Sequence, residues 1–246
     1  MARKGKPTAP KTTLTEKAYH SIKRAILLGT ISEGTFLSEM DIRRKFGIGR
    51  TPFREACNRL HNEQFLEVVP HRGYFVPEVS FRTVHDLFEV RLVVEGAIAE
   101  LAAIRAKPEQ LKELETAEKL ILACTDSSDD YEEVVKRNSD FHLCLAKMTQ
   151  NRELVELARR ILEHTERLSY LEYRGAGYKK HITRKLHGPI LEAIRKRDPV
   201  AARSAVLNDI TQAQVLTSGA PPEITPIRLP YLSRDARERR IISSRF

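Results

Sequence analysis

Cysteine is scarce in this sequence, and tryptophan is absent from its 246 residues. The three cysteines, Cys57, Cys124 and Cys144, are an odd number and lack the paired spacing of a zinc site. This pattern argues against a disulfide framework and against a cysteine-ligated metal centre. We expect reduced thiols in a cytoplasmic protein, because disulfides persist mainly in oxidising compartments.

Long apolar runs are also missing. No stretch of the sequence has the length that a helix needs to span a bilayer. The basic residues at the N-terminus are not followed by the apolar segment of a secretory signal. We therefore expect no membrane partner, and a chain long enough for one large or two modest domains.

Positive charge is concentrated towards the ends of the chain. Residues 1–78 contain 14 Lys and Arg against 8 Asp and Glu, whereas residues 79–217 contain 22 of each kind. Residues 218–246 contain six basic and three acidic residues. A basic first third beside a neutral middle predicts contact with a polyanion. Basic tails that only aid solubility have a similar composition, so charge alone leaves both interpretations open.

The chain divides into four parts. Residues 1–11 are interpreted as a disordered basic arm, and residues 218–246 as a tail rich in Pro and Arg. Residues 12–78 contain signals for three helices and a β-hairpin, with a connector over residues 30–37, and this order is typical of a winged helix-turn-helix. Residues 79–217 have helical periodicity throughout, with breaks that delimit about six helices. The predicted fold is mainly α, with the winged helix-turn-helix followed by an antiparallel all-α bundle.

Cap residues predict where the first three helices begin. Thr15, Ser38 and Thr51 are the expected N-caps of the first, second and third helix, and Pro52 suits the first helical position. Two short segments rich in β-branched and aromatic residues flank a turn at His71–Gly73, which predicts the hairpin.

The third helix has the position of a recognition helix, whose N-terminal end enters the major groove. Arg50 and Arg54 near that end suit guanine, because one guanidinium donates two hydrogen bonds to O6 and N7. Thr51 and the exposed amides at the helix start are expected to bind a phosphate. His71 and Arg72 at the tip of the wing are placed to touch the DNA backbone or the minor groove. A merely solvated Arg54 is the alternative, and the joint placement of both arginines favours DNA.

Two segments are specific enough to indicate a family. They are Phe46-Gly-Ile-Gly-Arg-Thr-Pro-Phe-Arg-Glu-Ala56 and Pro70-His-Arg-Gly-Tyr-Phe-Val76. With their surroundings they resemble the DNA-binding domain of GntR-type bacterial regulators over nearly all of residues 12–77. The resemblance implies a dimer on a short palindromic operator, with Gly73 allowing the wing close to the DNA backbone. The family usually has glycine where Gln64 stands, so we expect a differently shaped helix end there.

The helical part resembles the sensor domain of the FadR branch of that family, of the FCD type. The matching pieces include Asp86-Leu-Phe-Glu-Val-Arg91, Phe141-His142 and His187-Gly-Pro-Ile-Leu-Glu-Ala-Ile194. The resemblance implies a domain that senses a small carboxylate beside a divalent metal. It implies an effector site that includes Arg91, Asn138, His142 and His187.

The metal ligands implied by the resemblance fall on Asn138, His142, His187 and Asp209. Asn138 and His142 are four residues apart and therefore share a helix face. Asn138 stands where the family has Asp, and Asp209 where it has His, so one ligand is a weaker amide oxygen. The set suits Zn, Ni or Mn. A polar cavity without metal, in which the histidines bond to Asn138, Asp209 or water, is the alternative.

Arg91 has two possible roles. As a planar donor of paired hydrogen bonds it suits an effector carboxylate. It also has Glu95 four residues on, which is the spacing of an ion pair within one helix.

These features predict a ligand-responsive transcription regulator, a repressor that is not an enzyme. One alternative is a constitutive DNA-binding protein whose helical domain only dimerises. Another is a metal-dependent hydrolase built on the same cluster, although no residue stands out as its general base.

Overall fold

The computed structural model describes residues 13–127, 131–176 and 187–218. The predicted arm over residues 1–11 lies outside the described residues, and so does the predicted tail from residue 219 onward. The described chain forms a small N-terminal domain of three helices and a sheet, followed by six helices. This arrangement confirms the predicted mainly α class.

The N-terminal domain is a winged helix-turn-helix. Its elements are α1 (Leu14–Leu27), β1 (Phe36–Leu37), α2 (Glu39–Phe46), α3 (Arg50–Asn62), β2 (Glu67–Val69) and β3 (Gly73–Phe75). The central strand β3 pairs antiparallel with both β1 and β2. Apolar side chains from the helices and the sheet form one core, which includes Ile22, Ile26, Phe53, Cys57, Leu60, Phe65 and Val76. The predicted hairpin, formed by β2 and β3, is therefore part of a three-stranded sheet. The third strand, β1, comes from the connector over residues 30–37.

Two of the predicted N-caps are each wrong by two residues. The cap of α1 is Thr13, not Thr15, and Thr13 forms a capping box with Glu16. The cap of α3 is Gly49, without a side-chain hydrogen bond, so Thr51 is the second residue inside the helix and not its cap. Ser38 does cap α2, because its side chain accepts from the backbone N–H of Asp41. The start of the recognition helix thus places Arg50 in its first turn.

The C-terminal end of α3 is a regular left-handed helix end despite the missing glycine. Gln64 has a φ of +64°, and its N–H donates to the His61 carbonyl at 2.9 Å. The Phe65 N–H reaches back to the Leu60 carbonyl, also at 2.9 Å. This is the Schellman pattern, so the expectation of a different shape is wrong. Gln64 instead adopts the strained backbone that a glycine would accept freely.

We predict that Gln64→Gly stabilises the protein by about 1 kcal/mol, because glycine adopts positive φ without steric cost. Urea unfolding followed by circular dichroism measures the change. Gln64→Ala is the matched control, since it shortens the side chain and leaves the strain. An equal gain in both variants would show that the side chain, and not the backbone, carries the cost.

The helical domain contains the predicted number of helices within the described residues. They are α4 (Phe81–Arg105), α5 (Pro108–Ser127), α6 (Tyr131–Met148), α7 (Arg152–Ala176), α8 (Gly188–Arg195) and α9 (Pro199–Ser218). Their shared core is apolar and includes Phe88, Ile98, Leu114, Phe141, Leu145, Met148, Ile190 and Val206. No helix among the described residues is both long and apolar enough to cross a membrane.

Candidate functional site

The exposed face of α3 presents the predicted DNA-reading residues. The opposite face of the helix is buried through Phe53, Cys57 and Leu60, so the helical period turns Arg50, Thr51 and Arg54 outward. All three are exposed, and the Arg50 side chain retains 73% of its surface. Its Nε lies 3.4 Å from Glu39 Oε2 on α2. Such an exposed pair is weak, so the guanidinium is available to a better acceptor.

The wing is fixed by contacts within its own domain. Tyr74 on β3 donates to Asn58 Oδ1 on α3 at 2.6 Å, and its ring meets Phe53 edge-on. Tyr74 therefore joins the wing to the recognition helix. The Arg72 guanidinium lies 4.0 Å above the Phe36 ring, which keeps it beside the sheet.

Two residues of the wing turn have positive φ. His71 has a φ of +61° and Gly73 a φ of +97°. A Cβ on Gly73 would make only an ordinary contact, 3.5 Å from the Leu37 carbonyl oxygen, so it is the positive φ of the turn that favours glycine. His71, Arg72 and Gly73 are all exposed at the tip, as the predicted DNA contact requires.

A buried polar cluster lies between the helices of the second domain. His142 comes from α6, His187 precedes α8 and Asp209 comes from α9, and all three are buried. Their donor atoms lie within 4.8 Å of one another. His142 Nε2 is 3.3 Å from Asp209 Oδ2, and His187 Nε2 is 3.8 Å from Asp209 Oδ1. The structure thus brings together three of the four predicted ligands.

Two carboxylates behind the cluster orient its histidines. His187 Nδ1 donates to Glu118 Oε2 on α5 at 2.9 Å, and the His187 ring stacks on Phe141. His142 Nδ1 lies 2.7 Å from Glu95 Oε2 on α4. Each imidazole therefore has an acidic partner at Nδ1 and presents Nε2 inward, as histidines do at metal centres.

The charges of the cluster are tightly coupled. Burial alone would raise the pKa of Glu95, but Arg91 and His142 outweigh it and hold that pKa at about 2. Burial alone would lower the pKa of His142, but Glu95 and Asp209 outweigh it and raise that pKa to about 9. His142 also lowers the pKa of Asp209 against the effect of burial. The buried carboxylates thus stabilise positive charge between them.

The donor set fits a divalent metal. Within the described residues, His142 Nε2 and His187 Nε2 are buried without a hydrogen-bond partner. His142 Nδ1 and Glu95 Oε2 also lack one, because their 2.7 Å contact is an ion pair without hydrogen-bond geometry. Unsatisfied buried polar atoms of this kind are uncommon in proteins and need an explanation. Two imidazole nitrogens and the Asp209 carboxylate are ligands that Zn, Ni and Mn accept. The residues present therefore fit a divalent metal, and the contacts of both Nε2 atoms with Asp209 also fit a polar cluster without metal.

Family models match both domains. Residues 14–76 match the model described as bacterial regulatory proteins, gntR family, and residues 86–212 match the FCD domain. The chain belongs to the GntR family. This GntR protein is a DNA-binding transcription regulator with an FCD domain.

Relatives of the GntR protein are regulators as well. The Nta operon transcriptional regulator of Aminobacter aminovorans is 31% identical and covers 69% of this chain and 79% of its own length. The Uxu operon regulator of Haemophilus influenzae is 31% identical, with coverages of 79% and 78%. The solved structure of E. coli McbR/YncC has the same fold, with a TM-score of 0.70, 22% identity and coverages of 81% and 94%. The role is non-enzymatic, which removes the hydrolase alternative.

Asn138 and Arg91 lie outside the group of ligand atoms formed by His142, His187 and Asp209. Asn138 is half-buried one helical turn before His142, and no hydrogen bond within the described residues joins it to the cluster. Its ligand role rests on the family resemblance and on its spacing from His142. Arg91 is 2% exposed, and its Nε donates to Glu95 Oε1 at 2.7 Å. The ion pair is therefore present, and it connects Arg91 to His142 through Glu95. Sequence analysis missed Glu118 altogether.

One carboxyl group of the helical domain, that of Glu166, has an unfavourable environment. Burial raises the pKa of Glu166 on α7 to about 7; a hydrogen bond with Ser139 opposes that shift, and Glu163 and Asp140 add to it. A carboxyl whose pKa is higher in the folded state keeps a proton that the unfolded chain has released. It therefore lowers stability as pH rises from the unfolded pKa towards 7.

We predict that Glu166→Gln stabilises the protein by about 2 kcal/mol at pH 8 and by much less at pH 5. The amide cannot ionise, so the variant avoids burying a charge at the higher pH. Urea unfolding at both pH values measures the difference. Glu156→Gln, which replaces an exposed carboxylate on the same helix, should have no comparable effect. A gain independent of pH would contradict the prediction.

Proposed function

We propose that this protein is a dimeric repressor that binds a palindromic operator and responds to a small carboxylate held at the buried cluster of the FCD domain. The observation that carries the proposal is the inward orientation of His142 Nε2 and His187 Nε2 towards the Asp209 carboxylate. Three carboxylates already compensate the cationic side chains of the cluster, so a divalent ion held there would supply the positive charge that an anionic effector needs. DNA reading is assigned to Arg50, Thr51 and Arg54, with His71, Arg72 and Gly73 on the wing.

The metal ligands in this proposal are His142, His187 and Asp209, with Asn138 as a possible fourth. A divalent ion bound there supplies positive charge and open coordination positions for a carboxylate. Glu95 and Glu118 keep the imidazoles oriented, because each lies at the Nδ1 atom of one histidine. Arg91 supports the same arrangement by fixing Glu95.

The dimer is supported by an apolar stripe on α4. Val90, Ala97, Leu101 and Ile104 follow helical spacing and therefore share one face. Val90 is 43% exposed and Ile104 56% exposed. Ala97 and Leu101 between them are half-buried. Apolar side chains that keep exposed surface along one helix face are typical of a surface that another copy covers. A second copy would place two α3 helices on two half-sites.

We predict that protein purified without chelator contains about one divalent metal per chain. His142→Ala and Asp209→Ala should each lose that metal, since they remove buried ligands, and elemental analysis measures it. The control is His85→Ala, which alters the exposed group formed by His85, Asp86 and Glu89. Metal retained by the ligand variants and lost by His85→Ala would place the site elsewhere.

The regulatory function is tested on an operator that the protein itself selects. A preferred operator is selected from random duplexes, and its affinity is measured by fluorescence anisotropy with Zn, Ni or Mn and with succinate, malate or citrate. We expect one combination to lower operator affinity at least about tenfold, with no such response in Asp209→Ala. Unchanged affinity with every combination would favour the constitutive DNA-binding alternative, in which the helical domain only dimerises.

A further inference from the structure

The last carbonyl groups of the recognition helix are bound by side chains of the helical domain. The Schellman end of α3 uses the carbonyls of Leu60 and His61. The next two carbonyls, of Asn62 and Glu63, lie beyond it and accept from α7. Arg160 Nη2 donates to the Asn62 carbonyl at 3.3 Å, and His164 Nε2 lies 2.9 Å from the Glu63 carbonyl. The cap of α3 is therefore completed by another domain.

His164 is held in this position by its ring. It stacks on Phe65, with ring centroids 4.6 Å apart and planes 9° from parallel. Burial lowers the pKa of His164, and the charges of Arg167, Arg160 and Lys23 act in the same direction, although the bond to Glu63 opposes them. The ring is therefore neutral near pH 7, with its proton on Nε2, because only a donor suits a carbonyl oxygen.

A buried lysine joins three helices beside this stack. Lys23 Nζ on α1 is 2.9 Å from Glu63 Oε2 and 2.8 Å from Glu163 Oε2 on α7. It also donates to Tyr19 at 2.7 Å and lies over the Phe65 ring. Burial alone would lower the pKa of Lys23, but its hydrogen bonds to Glu163, Tyr19 and Glu63 outweigh it and raise that pKa. The lysine therefore stays charged and fixes α1, α3 and α7 together.

The same face of α7 also binds the segments on either side of the wing. Arg160, His164 and Arg167 are separated by four and three residues, so they share one helix face. Arg167 Nη2 donates to Glu33 Oε1 at 3.0 Å and to the Pro77 carbonyl at 2.6 Å. Pro77 precedes α4, where the chain enters the helical domain. One face of α7 thus contacts the end of α3, the connector before β1 and the interdomain linker.

The other side of α7 is bonded to the helix that carries His142. The Tyr131 hydroxyl of α6 donates to the Ser169 carbonyl at 3.0 Å, and the Tyr170 hydroxyl of α7 donates to the Glu132 carbonyl at 3.3 Å. Arg24 on α1 forms two hydrogen bonds with the Glu132 carboxylate. Hydrogen bonds therefore connect α6 both to α7 and to the DNA-binding domain.

We propose that Arg160 and His164 are positioning residues for DNA recognition, which set the orientation of α3 relative to the helical domain by completing its C-terminal cap. In a dimer, that orientation determines the separation between the two recognition helices and hence the preferred spacing of the half-sites. Arg50 and Arg54 determine which bases are recognised, and the contacts of α7 determine how far apart the two α3 helices of the dimer lie. This inference rests on the proposed dimer and on the proposed reading by α3, and not on the metal or the effector.

The test selects bound duplexes from a library in which two half-sites of random sequence are separated by varied spacings. The variants are R160A/H164L, which removes both donors, and the pair H164L and H164Q, in which glutamine restores a donor. We expect R160A/H164L to keep the half-site sequence while its preference for the best spacing over neighbouring spacings falls roughly tenfold, because two hydrogen bonds are lost. H164Q should recover most of the preference that H164L loses.

Arg159→Ala is the matched control, because Arg159 neighbours Arg160 on α7 and forms an exposed ion pair with Glu156 of the same helix. It should leave the spacing preference unchanged. An unchanged preference in a folded R160A/H164L protein would overturn the inference, as would loss of the half-site sequence itself. Failure of the proposed function is separate: wild-type protein would then select no paired half-sites, or R50A/R54A would retain the same half-site sequence.

Discussion

Replacing Arg50 and Arg54 together by alanine is expected to lower affinity for the selected operator at least about a thousandfold. Each bidentate contact between arginine and guanine contributes about 1–3 kcal/mol of discrimination, and a dimer has four such arginines. Four contacts at the lower limit give about 4 kcal/mol, or roughly three powers of ten. Both side chains are exposed on α3, so their removal should leave the fold intact. Fluorescence anisotropy at constant salt measures the affinity.

Affinity for random duplexes distinguishes reading from simple charge attraction. The double variant should lose far less affinity for random DNA than for the operator, because only phosphate attraction contributes there. Arg82→Ala is the control: Arg82 is 90% exposed on α4 and pairs with Asp86, so its loss should change both affinities little. An operator affinity that survives in Arg50→Ala/Arg54→Ala would show that other residues read the bases.

Lys23→Met is expected to lower the free energy of unfolding by about 3 kcal/mol. Removing one partner from a buried ion pair leaves the other charge uncompensated, and such losses are commonly 3–5 kcal/mol. We expect the lower limit, because the Glu63 and Glu163 side chains keep 23% and 28% of their surface. Urea unfolding followed by circular dichroism measures the change.

A second variant separates the charge effect from the packing effect. Lys23→Met/Glu163→Gln removes one of the two carboxylates left behind, so it should recover a substantial part of the lost stability. Lys17→Met is the control on the same helix, because Lys17 is exposed and should tolerate the change. If the added Glu163→Gln replacement recovered nothing, packing of the lysine stem would account for the loss.

Features encoded by neighbouring residues were predictable from the sequence. Ser38 caps α2, and Gly47 ends it with a φ of +66°, because both preferences act within one turn. The error at α1 also had a local signal. The residue three positions after Thr13 is Glu16, whereas the residue three positions after Thr15 is an alanine. The capping box needs a glutamate or glutamine at that position.

Features formed by distant residues could not be predicted in this way. β1 contains only Phe36 and Leu37, and it exists because β3 pairs with it across some 38 residues of sequence. Glu118 lies among other charges on α5 and resembles a solvated residue, yet it binds His187, which is 69 positions away. The cluster of His142, His187 and Asp209 was found only because a family resemblance supplied the long-range pairing that single-sequence periodicity lacks.

The burial of Cys57 affects how the recognition helix responds to oxidants and to reagents that modify thiols. Cys57 lies on the buried face of α3 with no exposed surface, and burial raises its pKa to about 12. Oxidants and alkylating reagents attack the thiolate, which this site neither forms near neutral pH nor exposes. The buried face of the DNA-reading helix is therefore expected to resist the oxidants and alkylating reagents that modify exposed thiols.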